Sequence, residues 1–221
     1  MLTLVEENYI KALLHLSSVD RYMTEKEGVG TNDLAAYLEV KPSTVNEMLK
    51  RLKEKNLVNH EKYKKVTLTT LGETLAMGII RKHRLWETFL HNKLEFDWDE
   101  VHDVAEQLEH VQSEKLIEKI DKFLDYPKYD PHGDPIPNSL GILPRRESTR
   151  LSLVPPNQCF VVLAVRDTSK AFLNYLEDLD ITIGTELKVI VKISYDGSLK
   201  IDKEGKIITL SKKAADNILV G

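Results

Sequence analysis

The stretch Ile79 to Glu114, IIRKHRLWETFLHNKLEFDWDEVHDVAEQLEHVQSE, constrains this chain more than any other. Its apolar spacing predicts the end of one helix, a break at Phe96–Asp97, and a second helix from about Trp98. On the first helix His83 and Glu87 are four residues apart. On the second, His102, Glu106, Glu109 and His110 follow at i, i+4, i+7 and i+8, an arc of about 100° on a helix. Val101, Val104, Ala105, Leu108 and Val111 occupy a different arc, so the helix has a packing face and, beside it, a face of imidazoles and carboxylates. A solvated stripe is the plainer account of such a face. Against it stand six nitrogen and oxygen donors on two consecutive helices, the set a borderline divalent transition metal takes.

Charge is distributed unevenly. The 221 residues carry a formal charge of −4. Residues 41–65 nevertheless hold eight Lys/Arg against three acids, whereas residues 95–130 hold twelve acids against four lysines. One region suits phosphates and another suits cations. The single cysteine, Cys159, excludes an intramolecular disulfide framework, and on the strand it opens it reads as core packing. The N-terminus lacks the pattern of a signal peptide, and no apolar run approaches the ~20 residues that span a bilayer. A cytoplasmic protein without membrane contact is expected.

Residues 4–17 read as an amphipathic helix, 21–30 as a polar loop, and Thr31 as the N-cap of a short helix through Leu38. After the turn Glu39–Pro42, a third helix opens at Pro42 or Ser43 and runs to about Lys55. It buries Val45, Met48, Leu49 and Leu52 and shows Ser43, Thr44, Asn46, Glu47, Lys50 and Arg51 outward. Two helices joined by a tight turn, the second polar and basic outside, read as a helix-turn-helix. Leu57-Val58 and Val66-Thr67-Leu68, around a tip containing Lys62, Lys64 and Lys65, read as a hairpin wing. Wing lysines suit phosphates, and the polar side chains of the third helix suit base edges of double-stranded operator DNA.

Thr69 or Thr70 caps a long helix to about Leu94, and a further helix is expected from Ser113 to about Leu124. These helices carry more apolar surface than a small winged unit can cover, which implies a homodimer. Tyr126–Arg150, with five prolines, reads as a linker. Beyond Leu151 the strands Phe160–Val165, Glu186–Ile193, Ser198–Ile201 and Lys206–Leu210, with a helix at Lys170–Leu179, read as a small β-barrel. The fold class is therefore mainly α with small β parts. The domains are a winged helix-turn-helix at 1–70, a helical metal-binding and dimerisation domain at 71–140, and the barrel at 150–221.

Three separated motifs carry a resemblance: Arg81-Lys82-His83-Arg84-Leu85, then Val101-His102-Asp103 with Glu109-His110-Val111, and Asp130-Pro131-His132-Gly133-Asp134-Pro135-Ile136-Pro137. In order and spacing the chain resembles the diphtheria-toxin-repressor family of metal-dependent transcriptional repressors over nearly its whole length. The resemblance implies an SH3-like (FeoA-like) barrel and two metal sites. One would take Asn8, Glu106, Glu109 and His110; the other His83, Glu87 and His102, with Asp167 of the barrel. Family members have Met or Asp where this chain has Asn8. At Glu106 the iron-responsive branch has Cys and the manganese-responsive branch Glu.

The function expected is a metal-dependent repressor of metal homeostasis, activated by Mn2+ or Fe2+, with Zn2+ or Co2+ substituting in vitro. The all-oxygen-and-imidazole donor set favours Mn2+. Without metal, Glu106 and Glu109 are expected to repel and leave the DNA-binding heads free. No enzymatic activity and no small-molecule substrate are expected. A dinuclear metalloenzyme is the alternative, but it lacks the paired Glu-x-x-His motifs of helical-bundle enzymes. A winged-helix regulator sensing an organic ligand is the other alternative, in which the His/Glu face is merely solvated.

Overall fold

The computed structural model describes residues 2–17, 28–61 and 64–221. The expected loop at 21–30 therefore lies mostly outside the described residues, as does Lys62. The chain divides into two compact units. The first comprises Met1–His83, Gln107–Glu114 and Pro137–Leu143; the second comprises Arg84–Glu106, Lys115–Ile136 and Pro144–Gly221.

In the first unit, helix α1 (Leu4–Ser17) opens with a capping box. Thr3 Oγ1 accepts from the Glu6 amide at 3.3 Å, and Glu6 Oε2 accepts from the Thr3 amide at 2.9 Å. Helices α2 (Thr31–Tyr37) and α3 (Pro42–Glu54) follow. Gly30, not Thr31, holds the cap position of α2. Proline sits in the first turn of α3, where its missing N–H has no partner to lose. Val45, Leu49 and Leu52 of α3 join Tyr9, Ile10 and Leu13 of α1 and Leu34 and Ala35 of α2 in one core, with Met48 at its edge. Strands β1 (Val58–Asn59) and β2 (Thr67–Leu68) pair antiparallel, Val58 against Leu68. Thr69 then caps helix α4 (Thr70–Leu94): its Oγ1 accepts from the Gly72 amide at 3.1 Å.

Helix α4 is continuous through the division of the chain at His83/Arg84. It ends where Glu95 takes a positive φ of 58°, just before the expected break. Helix α5 spans Val101–Leu108 and α6 spans Glu114–Phe123. The expected single helix carrying His102 through His110 is thus shorter at both ends than its pattern. Glu109 and His110 lie in the turn that follows α5, and Trp98–Glu100 form a turn before it.

The second unit contains a six-stranded antiparallel sheet ordered β3-β8-β4-β5-β6-β7. Its strands are β3 (Thr149–Arg150), β4 (Cys159–Val165), β5 (Glu186–Lys192), β6 (Leu199–Lys203), β7 (Lys206–Leu210) and β8 (Ile218–Val220); helices α7 (Lys170–Glu177) and α8 (Lys212–Asp216) complete it. Alternate strand residues such as Val162, Val189, Ile201 and Ile208 share a core with Leu173, Leu176 and Trp98. β6 and β7 are joined by Glu204-Gly205, both at positive φ, and Lys203 pairs with Lys206. That is the two-residue primed turn a twisted hairpin favours.

Two expectations are corrected here. Cys159 is exposed at the start of β4, so it packs no core. And 126–150 is not merely a linker: Asp130, His132, Asp134 and Ile136 are buried. Proline removes regular helix but not packing, and here a hydrogen-bonded turn replaces it. Among the described residues, no helix is long and apolar enough to cross a membrane.

Candidate metal centre

Among the described residues, donor side chains gather in a nest in each unit. The first is built on Glu109. This carboxylate has no exposed surface, and three groups of the first unit converge on or beside it. Lys11 Nζ lies 2.9 Å from Glu109 Oε1 and 2.7 Å from Oε2. His83 Nδ1 lies 2.6 Å from Oε2. His110 Nε2 lies 3.8 Å from Oε1. Burial pushes the Glu109 carboxyl up; the His83 hydrogen bond and the Lys11 charge outweigh it and hold it below the ordinary carboxylate range.

His110 is oriented from behind. Its Nδ1 donates to Glu7 Oε2 at 2.6 Å, and Gln112 donates to Glu7 Oε1 at 3.0 Å. In the neutral ring this leaves the Nε2 lone pair facing Glu109. An imidazole held by a carboxylate on one nitrogen with the other nitrogen available is a recurrent metal-ligand arrangement. Glu7 has no helical spacing to His110, so sequence reasoning missed it; only its place beside Asn8 on α1 hinted at it. Asn8 belongs to the same unit, and among the described residues its buried Oδ1 has no hydrogen-bond partner. A buried carbonyl oxygen without a donor costs on the order of 1–3 kcal/mol unless something electropositive meets it. An amide oxygen, a carboxylate and an imidazole of one unit are donor types that suit a divalent cation.

The second nest is in the second unit. Glu87 is buried on α4, and its Oε1 lies 3.3 Å from His102 Nδ1 and 3.9 Å from His132 Nδ1. His102 Nε2 lies 3.5 Å from Glu106 Oε1, one turn along α5. Glu87, Asp130 and His132 each bring one donor atom within 4.8 Å of the others. Asp167 Oδ1 accepts from the Ser169 amide at 2.9 Å, shaping the entry to α7. Lys170 pairs with Asp99 at 3.1 Å, and that partner raises its pKa.

The outward residues of α3, Ser43, Thr44, Asn46, Glu47, Lys50 and Arg51, are all exposed, as are Lys64 and Lys65 of the wing. Lys64 pairs with Glu61 at 2.6 Å. Lys55, part of the same basic run, pairs with the buried Glu6 at 2.7 Å.

Comparison with known proteins gives three consecutive matches. Residues 1–66 match the N-terminal DNA binding domain of iron dependent repressors, residues 69–138 their metal binding and dimerisation domain, and residues 149–221 the FeoA domain. The iron-dependent repressor IdeR of Mycobacterium leprae is 33% identical over 175 residues, which cover 76% of this chain and 74% of that protein. The diphtheria toxin repressor of Corynebacterium diphtheriae is 28% identical over 221 residues, covering 90% and 92%. The structure of a manganese-dependent transcriptional repressor in complex with manganese superposes with a TM-score of 0.85 at 33% identity, covering 97% of this chain and 98% of that one.

Proposed function

Since the chain belongs to the diphtheria-toxin-repressor family of metal-dependent transcriptional repressors, we propose that it is a cytoplasmic dimer that binds operator DNA when charged with Mn2+. The proposed division is a DNA-reading domain at 1–70, a metal-binding and dimerisation domain at 71–140, and an SH3-like domain at 150–221. One cation would be held by Asn8, Glu106, Glu109 and His110, and another by His83, Glu87 and His102, with Asp167 as a further candidate. When bound, the metal supplies positive charge and fixed ligand distances.

The protein's own groups do the rest. Glu7 orients the His110 ring through Nδ1. Asn8 and Glu7 belong to α1 of the DNA-reading region, whereas Glu109 and His110 follow α5. A shared ligand set would therefore favour one disposition of those elements over others, which would become more populated if it held the cation more tightly. Lys50, Arg51, Lys64 and Lys65, with Lys62, contact phosphates; Ser43, Thr44, Asn46 and Glu47 read base edges.

The observation that carries this reading is the buried Oδ1 of Asn8, without a hydrogen-bond partner among the described residues, in the unit that also holds the Glu109 and His110 donors. Mn2+ is favoured over Fe2+ because every proposed ligand offers oxygen or imidazole nitrogen. Zn2+ and Co2+ follow the general affinity order and substitute in vitro. The test is a DNA-binding titration of chelated protein with and without Mn2+ or Fe2+. Tight, salt-sensitive binding only in the presence of metal is expected; binding that ignores metal overturns the reading.

A further inference from the structure

His132 comes from the proline-rich segment, outside every helix and strand. Its side chain is nevertheless buried, at 2% exposure. Asp130 Oδ1 accepts from the His132 amide and the Asp134 amide, both at 2.9 Å, which closes the turn. The His132 carbonyl accepts from the Val165 amide at 3.0 Å. Gly133, at φ +84°, lies so close to β4 that a Cβ there would collide with Leu163 O; any other residue would lift the turn off the strand. The imidazole stacks on Trp98 with centroids 5.9 Å apart and 22° between planes.

The hydrogen bonding fixes the tautomer. His132 Nε2 lies 2.8 Å from the Trp98 carbonyl oxygen, which can only accept, so Nε2 carries the proton. Nδ1 of the neutral ring then bears a lone pair, and it faces Glu87 Oε1 at 3.9 Å. That distance is too long for a hydrogen bond. Two acceptors aimed at each other across such a gap suit a cation between them. A backbone carbonyl holding the outer nitrogen of a ligating imidazole is a common outer-shell device. Asp130, although near, is committed elsewhere: its Oδ1 closes the turn and its Oδ2 lies 3.6 Å from Arg84 Nε.

We propose that His132 is a metal ligand through Nδ1, completing with Glu87 and His102 a site for a divalent cation that accepts imidazole nitrogen and carboxylate oxygen. The inference rests on the metal-dependent reading and adds to it a ligand from 126–150.

The test uses the full chain. Ring-nitrogen NMR of isotope-labelled protein, with His132 assigned through its backbone, is followed while diamagnetic Cd2+ is added. The Nδ1 resonance of His132 is expected to move and couple to cadmium, while Nε2 keeps the signature of a protonated nitrogen. In parallel, His132→Phe, which keeps a ring against Trp98, is compared with the parent by equilibrium dialysis against Mn2+. One class of bound metal should weaken about tenfold or more, with the other class unchanged. An unmoved His132 Nδ1 at saturation overturns the proposal. If His102 or His110 shifts in that experiment, the metal-dependent reading survives it; if no imidazole shifts, both fall. A folded His132→Phe protein that binds all its metal as the parent does also overturns it, and should that variant not fold, the unmutated NMR titration decides.

Discussion

Lys11 Nζ grips both oxygens of the Glu109 carboxylate, at 2.9 and 2.7 Å, inside the nest where His110 Nε2 lies 3.8 Å from Oε1. The expectation that carboxylates merely repel in the absence of metal leaves this ammonium out. Lys11 neutralises Glu109, with His83 hydrogen-bonded to the same carboxylate. It acts as a tethered cation, and it fastens α1 to the turn after α5.

Lys11→Met should therefore act in opposite directions on the two states. Without metal it leaves Glu109 with less compensation, and truncating one partner of a buried pair costs roughly 3 kcal/mol. Lys11 itself retains 16% exposure, so a smaller loss of about 1–3 kcal/mol is expected, seen as a lower melting temperature in chelator. With metal, a competing charge is gone, and Mn2+ affinity should rise by about tenfold, a gain of ~1.4 kcal/mol. Calorimetry of both forms checks this. Equal Mn2+ affinity in parent and variant would show that Lys11 does not compete.

The N-terminal unit was legible because its signals are local. Pro42 opening α3, the alternation of Val45, Leu49 and Leu52 against exposed neighbours, and the capping threonine before α4 each act within a turn of helix. The donor nests were harder. His83 with Glu87 on α4, and His102 with Glu106 on α5, stand out by their spacing along a helix. Glu7, Lys11 and His132 have no spacing to the groups they face, since their partners lie far along the chain. The turn at Asp130–Asp134 was hidden by proline content, which reports absence of helix and says nothing of burial. Strand β8 carries no signal of its own because three residues make no alternating pattern, yet it pairs with both β3 and β4.

DNA affinity should depend on salt through the wing. Lys64 and Lys65 are exposed, and Lys64 is paired with an equally exposed Glu61, a weak interaction. Replacing both lysines with alanine should weaken binding to every sequence and reduce the salt slope by about one unit for each phosphate no longer neutralised. Asn46→Ala, on the outer face of α3, should instead change which base is preferred at one position. Fluorescence anisotropy across a salt series separates the two. A Lys64/Lys65 variant with an unchanged slope removes the wing from the DNA interface.

Dimerisation should depend on apolar groups left open on the helices. Leu71 and Leu75 are exposed one turn apart on α4, and Leu116 and Phe123, the latter at 63% exposure, lie on α6. Placing a charge at each member of one pair, Leu71→Lys with Leu75→Lys or Leu116→Lys with Phe123→Lys, adds desolvation cost and like-charge repulsion across a two-fold interface. Sedimentation at micromolar concentration should find at least one of these double variants monomeric. Dimers from both would place the interface on other surfaces. Deleting the C-terminal region is a poorer test, because Trp98 is part of the sheet's own core and its removal would disturb the helices directly.

The choice of effector turns on Glu106. It presents a carboxylate to His102 Nε2 at 3.5 Å and is only half-buried. A carboxylate there keeps the proposed set free of sulfur, and hard oxygen donors suit Mn2+. Tetrahedral Zn2+ makes little use of so many ligands, whereas Mn2+ accepts a larger set, so coordination number supplies selectivity that raw affinity does not. Asn8 pulls the other way: a neutral amide oxygen contributes less charge than a carboxylate and lowers affinity for any dication. Glu106→Cys tests the assignment directly, because a thiolate shifts preference towards softer and later metals. DNA binding is to be measured anaerobically against free Mn2+ and free Fe2+ for both proteins. The parent should respond to Mn2+ at least as well as to Fe2+, and the cysteine variant should shift towards Fe2+. A parent protein activated by Fe2+ and indifferent to Mn2+ would sink the manganese assignment while leaving metal dependence intact.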